Sequence, residues 1–190
     1  MSKDDIIRAE ILEAAKRIFR KWGLKKATME EIAEEAGKAK STLYYYYKSK
    51  EEIFDEAVIG QLALILENAK TAIAGIDSIK EKLKSYVVVS LTEMKTHASY
   101  YSIVWEELKA NRRLLQKLRD QLEAEERRFF KEILQLGVES GEFHFDDEQQ
   151  LTAAAHTLAG MVRALVLYLF LEAEESEQID IAAKLITNGL

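Results

Sequence analysis

The chain has no cysteine and no proline. Without cysteine there is no disulfide framework and no cysteine-ligated zinc, and a reducing, cytoplasmic setting is expected. Without proline, no helix interior is forced to break. Glycine is sparse, eight in 190 residues, so each one reads as punctuation. The opening residues, MSKDDIIRAE, carry no apolar signal core. The most apolar segment has an uncharged run from Gln149 to Val162, ended by Arg163. That is short of the ~20 residues of a membrane span, so no membrane partner is expected. None of G-x-S-x-G, G-x-x-x-x-G-K or G-x-G-x-x-G occurs. His97, His144 and His156 lack H-x-x-x-H or H-E-x-x-H spacing, so neither a metal site nor a cofactor is expected, and an enzyme is not the expected class.

What is present is 48% apolar and 32% charged residues, the balance of a globular chain. Apolar residues recur at helical spacing, with no sustained alternation of period two, and the fold class is read as all-α. A first helix is expected over residues 4–22, its inner face carrying Ile7, Ile11, Ala15, Ile18, Phe19 and Trp22, with Gly23 ending it. Further helices are expected over 50–74, 77–97, 99–111, 112–139, 147–174 and 177–188. Gly137 and Gly141 bracket VES ahead of GEFHFDD, an extended link expected between the helices at 112–139 and 147–174.

Charge is distributed unevenly. The net is −6, yet residues 16–50 hold ten basic residues against four acids. That local +6 leaves −12 on the remainder. For attraction to phosphate, clustering matters more than the total.

The basic region contains TMEEIAEEAGKAKSTLYYYYKSK, from Thr28 to Lys50. Thr28 is an N-cap with Glu31 three residues on, completing a capping box. Met29, Ile32, Ala33 and Ala36 give a short helix one apolar face. Gly37 stops it at a position that needs positive φ. A second helix is expected from about Lys40 to Tyr47. Two short helices joined by such a turn form a helix-turn-helix, whose second helix enters the major groove. Four consecutive tyrosines point about 100° apart on a helix and cannot all be core. Leu43 and Tyr47 are assigned inward. Ser41 and Tyr45 lie roughly opposite, flanked by Thr42, Tyr44 and Tyr46. Lys40, Lys48 and Lys50 stand beside them. A short surface helix with two aromatic anchors would show the same tyrosines; the lysines and the preceding helix favour DNA.

These residues resemble the DNA-binding domain of the TetR family of bacterial transcriptional regulators (TetR/AcrR type). The resemblance rests on Ala36-Gly37, Thr42-Leu43-Tyr44, Tyr47 and Lys48-Ser49-Lys50-Glu51. It is close over residues 5–55 and extends to the rest in layout, including GVESGEF in a later loop. Lys38 and Ala39 depart from the family's pattern, and Ser41 replaces a common glycine. The resemblance implies an N-terminal three-helix DNA-binding domain, residues 1–53, with the recognition motif about 28–47. It implies a C-terminal helical ligand-binding and dimerisation domain, residues 54–190. Function is then expected to be repression through a palindromic double-stranded DNA operator, bound as a homodimer and released by a small-molecule inducer. The competing reading is a dimeric helical ligand-binding or scaffold protein that binds no operator.

By helix phase and motif position, base contacts are expected from Lys40, Ser41, Tyr44 and Tyr45, and phosphate contacts from Thr28, Thr42, Tyr46, Lys48 and Lys50. Polar groups among aromatics in the second half, Tyr86, Ser90, His97, Tyr101, Trp105, His156 and Arg163, suit a mostly apolar ligand site with a few polar handles. Each alone is better read as an ordinary core residue with its polar group satisfied; the collective reading rests mainly on the resemblance, which implies an inducer pocket in this region. The segment from Leu151 to Leu171 is apolar nearly all round, with one stripe at Ala155, Ala159, Val162, Val166 and Leu169 and another at Leu158, Met161, Leu165 and Tyr168. One stripe can face its own domain; the other is expected to face a second copy, and the last helix, 177–188, is expected to add a second apolar face, two helices from each chain making a four-helix interface.

Overall fold

The computed structural model describes residues 2–96, 102–104, 106–107, 110–172 and 181. Every regular element among them is helical: α1 Lys3–Lys26, α2 Met29–Glu35, α3 Lys40–Tyr46, α4 Lys50–Ile73, α5 Ile79–Thr96, α6 Arg112–Glu139 and α7 Glu148–Glu172. The all-α reading therefore holds. The expected last helix lies outside the described residues apart from Ile181, which is helical and exposed.

The helix boundaries follow from local chemistry. Ser2 and Asp5 form a capping box at the start of α1. Ser49 accepts from the Glu52 amide before α4, and Ser78 from the Glu81 amide before α5. Asn111 accepts from the Leu114 amide at α6, and Asp147 from the Gln150 amide at α7. Each such side chain satisfies one of the orphan donors at a helix start. Gly37, at φ +63°, closes α2. The Gly37 amide donates to the Glu34 carbonyl and the Lys38 amide to the Ala33 carbonyl, at 3.0 and 2.9 Å, the paired bonds of a Schellman stop.

One glycine behaves differently from the sequence expectation, and another has a packing role that the sequence did not show. Gly23 takes φ +71° and breaks α1, but one further turn follows it to Lys26. Leu24 and Ala27 then occupy buried positions, whereas Trp22, expected to line the inner face, is 43% exposed with the Lys21 ammonium 4.7 Å from its ring centroid. The break turns the chain at Gly23, and Leu24 and Ala27 take the inward places. Gly137 lies inside α6 and does not end it. Its missing side chain leaves room for the Phe143 ring, which a Cβ there would meet.

The chain divides into two compact units. The first comprises Met1–Leu62 with His97–Leu118, the second Ala63–Thr96 with Arg119–Leu190. In the first, Ile11, Ala14, Ala15 and Phe19 of α1 are fully buried, with Ile32, Leu43, Tyr47, Ile53, Phe54 and Val58. Phe19 and Phe54 meet edge to face at 5.2 Å. In the second, one core joins Leu66, Ala69 and Ile73 of α4 with Leu83, Tyr86 and Val87 of α5, Phe130, Ile133 and Leu134 of α6, and Leu151, Ala155, Leu158, Ala159, Val162 and Val166 of α7.

Candidate nucleic-acid interface

The site is built on α2 and α3. The Thr28 hydroxyl accepts from the Glu31 amide at 3.2 Å, and the Glu31 carboxylate accepts from the Thr28 amide at 2.9 Å. That reciprocal box fixes the start of α2, and Met29, Ile32 and Ala33 seat the helix inward. Across the Gly37 turn, Ala39 opens α3 with no side-chain cap. Packing holds α3 instead. Leu43 is fully buried, and Tyr47, extended just past the helix end, is 1% exposed. The Tyr47 phenol donates to Glu56 of α4 at 3.0 Å, and Arg8 of α1 lies 4.9 Å over its ring and 3.5 Å from the same carboxylate. Burial, together with the Glu56 charge, drives that phenol well above its ordinary range. Two helices, α1 and α4, thus hold Tyr47 inward at the end of α3.

The outer face is left to solvent. Tyr45 is 79% exposed and Tyr44 48%, with Lys40 and Ser41 also exposed and Thr42 and Tyr46 half-buried. The Tyr45 and Tyr46 rings meet edge to face at 5.0 Å. The nine candidate contact residues therefore gather on and around one helix surface, with Thr28 at the start of α2 and Lys48 and Lys50 beyond the end of α3.

Several of them already have partners within the chain. Lys40 forms an ion pair with Glu30 of α2, and its ammonium lies 5.7 Å from the Tyr44 ring centroid. The Tyr46 phenol donates to Asp4 of α1 at 2.7 Å, which pushes its pKa up to about 12. The Lys50 ammonium donates to the carbonyls of Lys25 and Ala27 at 3.1 and 2.8 Å. The Thr28 hydroxyl also donates to Glu31. Elsewhere in the basic region Arg17 pairs with Glu35, Lys38 with Glu10, and Lys16 with Glu13. Glu10 and Glu13 lie outside the basic stretch, so the local charge counted along the sequence overstates the charge on display. Glu30, Asp4, Glu56 and Arg8 were not singled out by sequence reasoning. Their partners lie between nine and 48 residues away, and no periodicity signals such pairs.

Of the ligand candidates, His97, Tyr101 and Trp105 lie outside the described residues. Tyr86 and Ser90 are buried on α5, Tyr86 with ring centroids 5.4 and 5.1 Å from Phe129 and Phe130. Burial and the nearby Glu126 charge raise the Tyr86 phenol far above its usual range. The Ser90 hydroxyl has no well-formed hydrogen bond among the described residues. His156 and Arg163 are exposed on α7, though the charge of Arg163 still acts on Tyr86. Their side chains are 57% and 42% exposed, and they pair along α6 with Glu123 at 3.1 Å and Glu126 at 2.5 Å. Burial raises the Glu126 pKa despite Arg163. At Glu123 desolvation is outweighed by the His156 bond and the Arg127 charge together, and the pKa is lowered.

Against known proteins, residues 11–57 match the model of bacterial regulatory proteins of the tetR family, and residues 66–189 that of the QacR-like C-terminal region. The chain belongs to the TetR family. This TetR-family chain is 30% identical over 148 residues to the HTH-type transcriptional repressor KstR2 of Rhodococcus jostii, spanning 76% of the chain and 71% of that protein. Among solved structures it resembles a candidate fatty acid metabolism regulator of Clostridium perfringens, at 28% identity and TM-score 0.64, covering 95% of this chain and 98% of that one. It shares its fold with FadR of Bacillus subtilis, solved in complex with stearoyl-CoA, at 22% identity and TM-score 0.73, covering 96% and 98%. TetR-family regulators bind DNA and small-molecule ligands, and this chain is a transcriptional regulator of that family. No helix among the described residues is long and apolar enough to cross a membrane.

Proposed function

We propose that this regulator is a cytoplasmic repressor that binds a palindromic operator as a homodimer through α3 and is released by a small-molecule inducer. The observation that carries the reading is the division of α3 into two faces. Leu43 and Tyr47 are locked inward, while Lys40, Ser41, Tyr44 and Tyr45 stand in solvent on a helix short enough to lie in a major groove. These four are assigned to base edges. Thr28, Thr42, Tyr46, Lys48 and Lys50 are assigned to phosphates. Of these, Thr28, Tyr46 and Lys50 must exchange internal partners for phosphate oxygens, whereas the Lys48 side chain is exposed. Residues 1–53 serve as the DNA-binding domain and 54–190 as the ligand-binding and dimerisation domain.

The inducer is assigned as an apolar or aromatic compound with one polar handle, received near Tyr86 and Ser90, with His97, Tyr101, Trp105, His156 and Arg163 as further candidates. The stearoyl-CoA held by the FadR of similar fold has that build, a long apolar chain on a polar group. Such a ligand relieves repression only if it binds the non-DNA-binding form more tightly, because equal affinity shifts nothing. Dimerisation is assigned to α7, whose buried residues Ala155, Leu158, Ala159, Val162 and Val166 leave Met161 and Tyr168 57% and 60% exposed. Exposed apolar surface of this kind on a helix marks an association face.

The test is sequence selection from a random duplex pool with three variants. Lys40→Ala and Tyr44→Ala should change which sequences are retained. Lys48→Ala should weaken all sequences alike and flatten the salt slope by about 0.9. An unchanged preference in Lys40→Ala and Tyr44→Ala would refute the α3 assignment.

A further inference from the structure

Lys40 is the first residue of α3 and Glu30 the second of α2, and their side chains close an ion pair across the turn while both remain more than half exposed. A cation at a helix N-terminus opposes the dipole, so Lys40 is not placed there to stabilise α3, which has no cap of its own. Glu30 suits the dipole of α2 and offsets the lysine. Of the other acids of α2, Glu31 is engaged in the Thr28 box and Glu35 with Arg17. Glu30 is the carboxylate that meets the outward face of the recognition helix. The pairing lowers the Glu30 pKa and raises that of Lys40, so both stay charged.

A bare carboxylate beside a groove-binding helix repels phosphate. A lysine held by a carboxylate releases no counterion when DNA arrives, and so adds little to sequence-independent affinity. When the pair opens, it offers a donor suited to guanine O6 and N7 and an acceptor suited to the cytosine amino group, the two halves of one G·C pair. We propose that Glu30 is a specificity-determining residue of the DNA interface: it withholds Lys40 from phosphates and releases it to a G·C pair. This rests on the DNA-binding reading of α3 given above.

The experiment compares full-length wild type with Glu30→Gln, Lys40→Gln and the double variant, each checked for native helicity by circular dichroism. Affinity for a random-sequence duplex is measured across salt concentrations, and preferred sequences are selected from a random pool. Glu30→Gln should tighten random-duplex binding and steepen the salt slope by about 0.9, because the freed Lys40 then neutralises a phosphate. Lys40→Gln alone should leave that slope nearly unchanged. The double variant should return to the wild-type slope, because the effect of Glu30 runs through Lys40. In the selection, Glu30→Gln should lose discrimination at one G·C position per half-site. A Glu30→Gln slope equal to wild type would overturn the inference. So would a steepening that persists in the double variant, since Glu30 would then act as a general charge. If wild type bound no duplex even at low salt, the DNA reading would fall and this inference with it. The contrast among variants overturns the inference alone.

Discussion

Tyr47 shows what one residue in a run of four identical neighbours can do. Its ring fills the core of the first unit, and its hydroxyl finds Glu56. Tyr47→Phe should keep the packing and lose that bond, costing about 1 kcal/mol, read as a lowered urea midpoint with an unchanged m-value. Tyr46 sits one residue earlier and faces Asp4, which raises its pKa from 10.0 to about 12. A raised folded-state pKa means that the stability from this bond is whole below about pH 10 and is lost as pH climbs through about 12. Absorbance of the phenolate should show a late step near pH 12 that disappears in Tyr46→Phe. The inward and outward tyrosines were legible from the 100° turn of a helix alone. The partners were not: Asp4 lies 42 residues from Tyr46, and only the folded chain brings them together. Lys50 makes the same point, since its place in the sequence suggests a phosphate contact and its ammonium rests on two carbonyls.

At the scale of elements, the stop between α2 and α3 sets where the recognition helix starts. Gly37 holds φ +63°, which a side chain makes costly by about 1–2 kcal/mol. Gly37→Ala should lose that much stability in urea and weaken DNA binding beyond what the stability loss explains, because the turn also aims α3. Gly137→Ala should destabilise the second unit for a different reason: φ there is ordinary, but the Phe143 ring occupies the space. Gly137→Ala with Phe143→Leu should recover part of the loss by giving the new methyl room. Helix caps and apolar periodicity were readable from sequence: both ends of α4 and α6, and the starts of α5 and α7, fall within about two residues of expectation, the usual fraying of such boundaries. Glycine was less readable. Gly23 and Gly37 both take positive φ, yet the chain resumes a helical turn after one and not the other, which depends on Leu24 and Ala27 finding buried places. Whether a glycine ends a helix or makes room for a ring is decided by a residue that arrives later in the chain.

For the whole molecule, the basic charge counted along residues 16–50 is thinned by acids from α1, so attraction to DNA depends on which pairs open on contact. Two copies are needed for two half-sites, and α7 supplies the proposed seam. The position of Gly160 is open, with nothing near its missing Cβ. Gly160→Leu should therefore fold normally by circular dichroism yet weaken both dimerisation in sedimentation and operator binding, by at least tenfold each if a partner helix approaches there. Family membership was legible from one motif because turn and recognition helix are local. The ligand site was not, since its described candidates are spread over two helices, Tyr86 and Ser90 buried on α5 and His156 and Arg163 exposed on α7. The most direct measurement is selection of genomic DNA fragments by the purified full-length protein, followed by sequencing. The account predicts a small set of enriched sites with two-fold symmetry, their half-sites centred about one helical turn apart, ~34–36 Å, or a multiple of it. Retained fragments matching the input in sequence would contradict it.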